Sequence, residues 1–268
     1  MTTLPDDPLV LYGQRFAGRL MLGTARYTSP QVLEQAVARA RPCMVTASLR
    51  RQGATGAAAG EGFWPLLQHL GVPVLPNTAG CHSVQEVVTT AEMAREVFAT
   101  DWIKLELIGD DYTLQPDTLN LADAAERLLR LGFKVLPYCT EDLVLCQRLV
   151  DVGCKAVMPW AAPIGTGRGP ANPHALRTLR ERLEVPLIVD AGLGVPSHAC
   201  QVMEWGYDAV LLNTAVALAA DPVTMAGAFA DAVRAGRDAF RAGAMAPHDS
   251  AQPSTPVLGT PFWHHAPQ

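Results

Sequence analysis

The chain has 268 residues, 49% hydrophobic and only 18% charged, with 22 glycines and 21 prolines; this excludes a disordered chain and suits a compact globule with many tight connections. A formal net charge of −5 excludes a surface built to neutralise phosphate backbones, so nucleic acid is not an expected partner. No apolar run reaches the ~20 residues of a membrane span, and the N-terminus "MTTLPDDPLV" lacks the basic and apolar regions of a secretion signal, so a cytoplasmic protein without membrane contact is expected.

Residues 5–18 precede the first strand pattern and are expected to close one end of the fold. Apolar, β-rich stretches then recur at 20–23, 43–47, 73–77, 102–107, 134–138, 156–159, 186–190 and 209–212. Amphipathic helices fill the intervals. Ser29-Pro30 opens one before "QVLEQAVARA", and Ser83 with Glu86 three residues on forms a capping box before "VVTTAEMAREVFA". Others fit 118–131, 141–152, 173–183, 197–205 and 222–241. The joints share a phrase: "LGVPVLP", "LGFKVLP", "VGCKAVMP" and "WGYDAVLLN" each place a glycine where a left-handed residue ends a helix just before a strand. Eight such units of near-continuous apolar strand and helix predict the α/β class and a single (β/α)8 TIM-type barrel over residues 1–245. An open doubly wound sheet is the alternative, but "LGTARYTSP" after the first strand is not the glycine-rich dinucleotide loop that fold uses. Residues 246–268 are proline-rich and aperiodic and predict an irregular tail.

The fourth strand, within "WIKLELIGD" at 102–110, carries the chemistry. Alternation puts Ile103, Leu105 and Leu107 on one face and Trp102, Lys104 and Glu106 on the other. In a barrel the second face looks inward, where an ammonium must be paired. Two readings stand: a structural ion pair, or a lysine whose pKa burial lowers until the neutral amine attacks a ketone to form an imine, with the carboxylate moving protons. Only three lysines occur, at 104, 134 and 155; Lys134 and Lys155 follow helix-ending glycines and fall at the opposite, non-catalytic face. Three further segments converge on the mouth. "APIGTGRG" follows the sixth strand, "VDAGLG" ends the seventh and "LLNTA" ends the eighth, and glycines there let backbone N–H groups approach a phosphate. Asp190 either caps a helix or hydrogen-bonds backbone after the seventh strand, or it is a second acid/base group facing Lys104. Asn77, ending the third strand in "LPNTAGC", either caps its loop or contacts substrate. The six cysteines show no CxxC pair and are expected as reduced core thiols. The histidines form no ligand pattern; His264 and His265 are adjacent only in the tail, so neither metal nor cofactor is expected.

"LGT", "LPNTAGC", "WIKLELIGD", "PIGTGRG", "VDAGLG" and "DAVLLNTA" in this order closely resemble thiazole synthase of bacterial thiamine biosynthesis, over roughly residues 8–243. The resemblance implies an α/β barrel that joins 1-deoxy-D-xylulose 5-phosphate, dehydroglycine and sulfur carried as a C-terminal thiocarboxylate on a small ubiquitin-like protein, and it implies a homo-oligomer, dimer or tetramer. Carried over by motif, the imine-forming lysine is Lys104, the two carboxylates are Glu106 and Asp190, and the sugar phosphate is held around Gly165, Ala191, Gly192, Asn213 and Thr214. Departures lie at the rim: "PWAAPIGTG" replaces the family's frequent "PLGxPIGSG", setting Trp160 and Ala161 near the mouth with Thr166 as a hydroxyl donor. Tyr207 stands where a small alanine is frequent. A Schiff-base aldolase and a non-catalytic phosphate-binding barrel are the competing readings of the same residues.

Overall fold

The computed structural model describes residues 7–49, 64–252 and 254. Eight parallel strands form its centre: β3 (Leu20–Gly23), β4 (Met44–Ser48), β5 (Val74–Asn77), β6 (Trp102–Leu105), β9 (Lys134–Cys139), β10 (Met158–Pro159), β11 (Ile188–Asp190) and β12 (Ala209–Leu212). Their hydrogen-bonded order is β10-β9-β6-β5-β4-β3-β12-β11. Parallel bridges Val157–Leu187 and Trp160–Asp190 join the two ends. The result is the expected single (β/α)8 barrel.

Side-chain caps fix where two of the helices start. Ser29 Oγ accepts from Val32 N ahead of the helix Pro30–Ala40, and Ser83 Oγ accepts from Glu86 N ahead of Val84–Phe98. Glu86 Oε2 in turn accepts from His82 N at 2.8 Å, one residue earlier than a standard capping box. The helices Leu121–Arg130, Leu143–Asp151, Pro173–Arg182, Pro196–Glu204 and Pro222–Ala242 match the periodic segments. At the four recurrent joints Gly71, Gly132, Gly153 and Gly206 all have positive φ, as a left-handed helix end requires.

Alternation along the strands divides the core in two. Leu22, Val45, Ile103 and Val135 face outward against the helices, whereas Met21, Met44, Leu75, Trp102, Leu136, Met158, Ile188 and Leu211 fill the barrel. Its lower end is plugged by the hairpin β1 (Leu9–Leu11) and β2 (Gln14–Phe16). Leu9, Leu11 and Phe16 join the inner cluster, each contributing about 1.5–3 kcal/mol by leaving water. The hairpin is also tied by polar contacts: the Tyr12 hydroxyl donates to Val135 O at 2.8 Å and accepts from Val135 N and Lys155 N.

One element departs from the sequence reading. "WIKLELIGD" is not one strand: β6 stops at Leu105, and β7 (Ile108–Asp110) pairs antiparallel with β8 (Gln115–Pro116) in a separate hairpin. The reason is local. Glu106 gives its backbone N–H to the Thr78 hydroxyl and its carbonyl accepts from that hydroxyl, at 2.8 and 2.7 Å, so the ladder ends there. Residues 243–252 of the tail are exposed and lie outside any helix or strand; the expectations for residues 255–268, including His264 and His265, and for residues 1–6 fall outside the described residues. Among the described residues no helix is long and apolar enough to cross a membrane.

Candidate active site

The barrel interior turns from apolar to polar toward the C-terminal ends of its strands. Lys104, on β6, projects inward above Trp102, and Glu106 follows one residue past the strand end. Asp190 closes β11 on the far side. Lys104 Nζ lies 3.1 Å from Glu106 Oε1 and 2.5 Å from Asp190 Oδ2. All three residues are no more than 6% exposed, so one buried ammonium is shared by two carboxylates.

Electrostatics reverse one expectation. Burial by itself pulls the Lys104 pKa down, as anticipated, but the charges of Asp190 and Glu106 and their hydrogen bonds outweigh it and hold the amine above the ordinary lysine value. The resting residue is therefore an ammonium. Burial lifts the Asp190 carboxyl above the usual carboxylate value; Lys104 opposes that lift and Glu106 adds to it. A proton passing from Lys104 to Asp190 would move between groups already in contact. The depressed lysine pKa expected from burial is therefore not found.

These groups open on a cavity of about 550 Å³. Every site residue read from the sequence lines it: Lys104, Glu106 and Asp190, and also Gly165, Ala191, Gly192, Asn213 and Thr214. The loops after β10 and β11 are laced together along one wall. Gly169 N donates to Gly192 O at 2.8 Å, and Ala161 N lies between the carbonyls of Asp190 and Ala191. Ala191 and Gly192 both have positive φ, and a Cβ on Gly192 would sit 2.4 Å from Ala162 N. Backbone strain of this kind at Ala191 persists only where its surroundings over-determine it, and such places cluster at functional sites. Asp190 is no helix cap: the residue capping the next helix is Val195.

Other side chains have duties that spacing did not reveal. The Asn213 amide, oriented to satisfy both bonds, donates to Gly23 O and Ala25 O at 3.0 Å each, tying the ends of β12 and β3 together while also facing the cavity. Gly23 makes room for it, since a Cβ there would lie 2.4 Å from Asn213 Cβ. Asn77 caps its loop, Oδ1 accepting from Ala79 N at 3.4 Å, and it also lines the cavity. Thr166 gives its hydroxyl to Pro163 O and is exposed, so it is a loop lock and not a cavity donor. Trp160 lines a neighbouring cavity and donates from Nε1 to Glu141. Ala161 is buried, and Tyr207 is fully buried with its hydroxyl on Leu176 O at 2.8 Å. Lys134 sits over the Trp102 ring at the barrel's lower end, and Lys155 is exposed.

One neighbour escaped the sequence reading. Tyr138 on β9 is fully buried, and its ring centroid lies 5.5 Å from Lys104 Nζ. Strand alternation from Lys104's partner Leu136 puts it on the same inward face, a signal that was there to find in "KVLPYC". The six cysteines are all free thiols, five of them buried. Among the described residues no group of three or more His, Cys, Asp or Glu is arranged to hold a metal ion.

Comparison with known proteins gives consistent findings. The family model described as thiazole biosynthesis protein ThiG matches residues 10–256. The chain is 82% identical over 263 residues, 98% of both chains, to a thiazole synthase of Paracidovorax citrulli. It is 79% identical, over the full length of both, to one of Variovorax paradoxus. Among solved structures, the crystal structure of the Amycolatopsis orientalis BexX/CysO complex superposes with a TM-score of 0.81 at 27% identity, covering 92% of this chain and all of that one.

Proposed function

We propose, from the premise that this chain belongs to the ThiG family of thiazole biosynthesis proteins, that it joins 1-deoxy-D-xylulose 5-phosphate, dehydroglycine and sulfur from a carrier-protein thiocarboxylate into the thiazole phosphate of thiamine. The observation that carries this reading is a single buried lysine within 3.1 Å of two carboxylates in a cavity walled by strand-end loops. Asp190 accepts a proton from Lys104, and the freed amine attacks the ketone carbon. The ketone oxygen leaves as water and an imine remains. Its electron demand acidifies the adjacent carbon, so Glu106 or Asp190 takes that proton and returns one elsewhere, moving the carbonyl to C3. The thiocarboxylate sulfur adds at C3, its acyl group shifts to the C3 oxygen and departs as the carrier's carboxylate, and the sulfur left at C3 adds to the imine carbon of dehydroglycine, whose nitrogen displaces Lys104 from C2 and closes the ring with loss of water. The phosphate is held by the backbone of the loops carrying Gly165, Ala191 and Gly192, with Asn213 and Thr214 alongside.

The partner follows from access. Lys104 is 6% exposed inside a barrel, so a globular sulfur donor cannot reach it, whereas an extended Gly-Gly tail can. A small ubiquitin-like carrier docks on the rim and threads its C-terminus inward. That a solved relative was crystallised as a two-protein complex supports this reading. The protein is a cytoplasmic homo-oligomer, dimer or tetramer, which sedimentation of the purified chain measures.

Reconstitution with the sugar phosphate, dehydroglycine and thiocarboxylated carrier is expected to yield the thiazole phosphate, and omitting the carrier is expected to stop it. Cleavage of the sugar phosphate carbon chain without any sulfur donor would instead establish the aldolase reading.

A further inference from the structure

The Tyr138 hydroxyl is buried, and among the described residues it has no hydrogen-bond partner. Such a group destabilises a folded protein unless something later engages it. Its surroundings indicate what that is. From β6 come Lys104 and, one residue beyond the strand, Glu106; from β11 comes Asp190; from just past β10 the Trp160 ring meets the Tyr138 ring edge-on at 6.4 Å. Burial, then the charges of Asp190 and Glu106, then Cys139, push the phenol pKa far above its ordinary value. It stays protonated and keeps its one proton to donate.

Imine formation changes the donor count at this cluster. The Lys104 ammonium carries three N–H groups, of which the two carboxylates use those facing them. When the nitrogen bonds to the ketone carbon, two of those protons leave with the ketone oxygen as water. The protonated imine keeps one, and the neutral enamine that follows proton abstraction also keeps one but loses its charge. A pair of buried carboxylates is then short of donors at the step where one of them must remain an ionised base.

We propose that Tyr138 is a positioning residue for the reaction, its hydroxyl donating to the Glu106–Asp190 carboxylate pair once two of the Lys104 ammonium protons have left with the ketone oxygen as water. The inference rests on the lysine–imine reading above. By stabilising the ionised carboxylate in the imine state, the phenol keeps the base competent and sets the acidic limb of the kcat–pH profile.

Tyr138→Phe removes only the oxygen. The variant is expected to fold with a melting temperature no lower than the parent's, since among the described residues the hydroxyl has no resting hydrogen bond. It is expected to trap the sugar phosphate with borohydride as the parent does and to keep its KM. Its kcat should fall about 10- to 100-fold, the range of a single lost donor to a charged group, with the acidic limb moved to higher pH. Unchanged kcat and pH profile in a variant that still traps would overturn the proposal, as would a marked loss of stability, which would show the hydroxyl bonded in the resting state. Failure of the parent protein itself to trap would instead defeat the imine reading.

Discussion

Replacing Lys104 by Met strips the shared cation from two carboxylates while roughly preserving volume. The parent side chains are 7%, 8% and 4% exposed at Lys104, Glu106 and Asp190, so water screens little of the loss. Breaking a buried pair by removing one partner costs about 3–5 kcal/mol, or roughly 6–20 °C in melting temperature for a chain of this size. The sign of the pH dependence follows from Asp190. Its folded-state pKa is already raised, and without the ammonium's opposing pull it rises further. A carboxyl with a raised folded pKa contributes its stability below the unfolded value and loses it as pH climbs through the folded one. The deficit relative to the parent is therefore expected to be widest near about pH 8 and to narrow on acidification toward about pH 5. Urea unfolding of both proteins at the two pH values measures it, with Lys104→Arg, which keeps the charge, expected to lose less. A deficit below ~1 kcal/mol at the higher pH, as for an exposed pair, or one that does not change with pH, would refute a buried, shared cation.

Glu106→Gln is expected to allow the imine yet lower turnover by ~10²–10⁴-fold, as for a lost general acid/base, whereas Asp190→Asn, which removes the acceptor of the Lys104 proton, is expected to slow imine formation as well as turnover; stopped assays and borohydride trapping separate the two effects. Thr78→Val leaves the Glu106 N–H and carbonyl, now bonded to the Thr78 hydroxyl, without partners, and urea unfolding is expected to show a loss of about 1–3 kcal/mol. Gly194→Ala would place a Cβ 2.2 Å from Gly167 O, displacing the loop after β10; steady-state kinetics are expected to show the KM for the sugar phosphate rising about tenfold, equivalent to ~1.4 kcal/mol of binding. Deleting the carrier's terminal Gly-Gly is expected to abolish sulfur transfer even where pull-down shows the body still docking.

The barrel was legible because two periodicities agree: apolar strands, and glycines that end each helix at Gly71, Gly132, Gly153 and Gly206. Alternation alone aimed Lys104 and Glu106 at one interior, and the glycine-rich segments marked the wall opposite. What alternation cannot show is where a ladder stops. "ELIGD" continues the apolar pattern of β6, but the Thr78 hydroxyl captures the Glu106 backbone, and that bond joins residues 28 positions apart. The direction of the Lys104 pKa is hidden from the sequence for a related reason: burial is readable from the strand, whereas Asp190 at 2.5 Å is a contact across the barrel. The motif places Asn213 at the cavity, whereas its bonds to Gly23 and Ala25 depend on the register between β12 and β3. Tyr138 needed no such contact to be found, only the alternation from Leu136.

Borohydride reduction of the protein with 1-deoxy-D-xylulose 5-phosphate, followed by peptide mass spectrometry, asks whether Lys104 is the nucleophile. The adduct, reduced to a stable secondary amine, is predicted on the peptide containing Lys104 and nowhere else, and it is predicted to vanish in Lys104→Arg, which keeps the cation but cannot form an imine. An adduct on Lys134 or Lys155, or one that survives in Lys104→Arg, would contradict it.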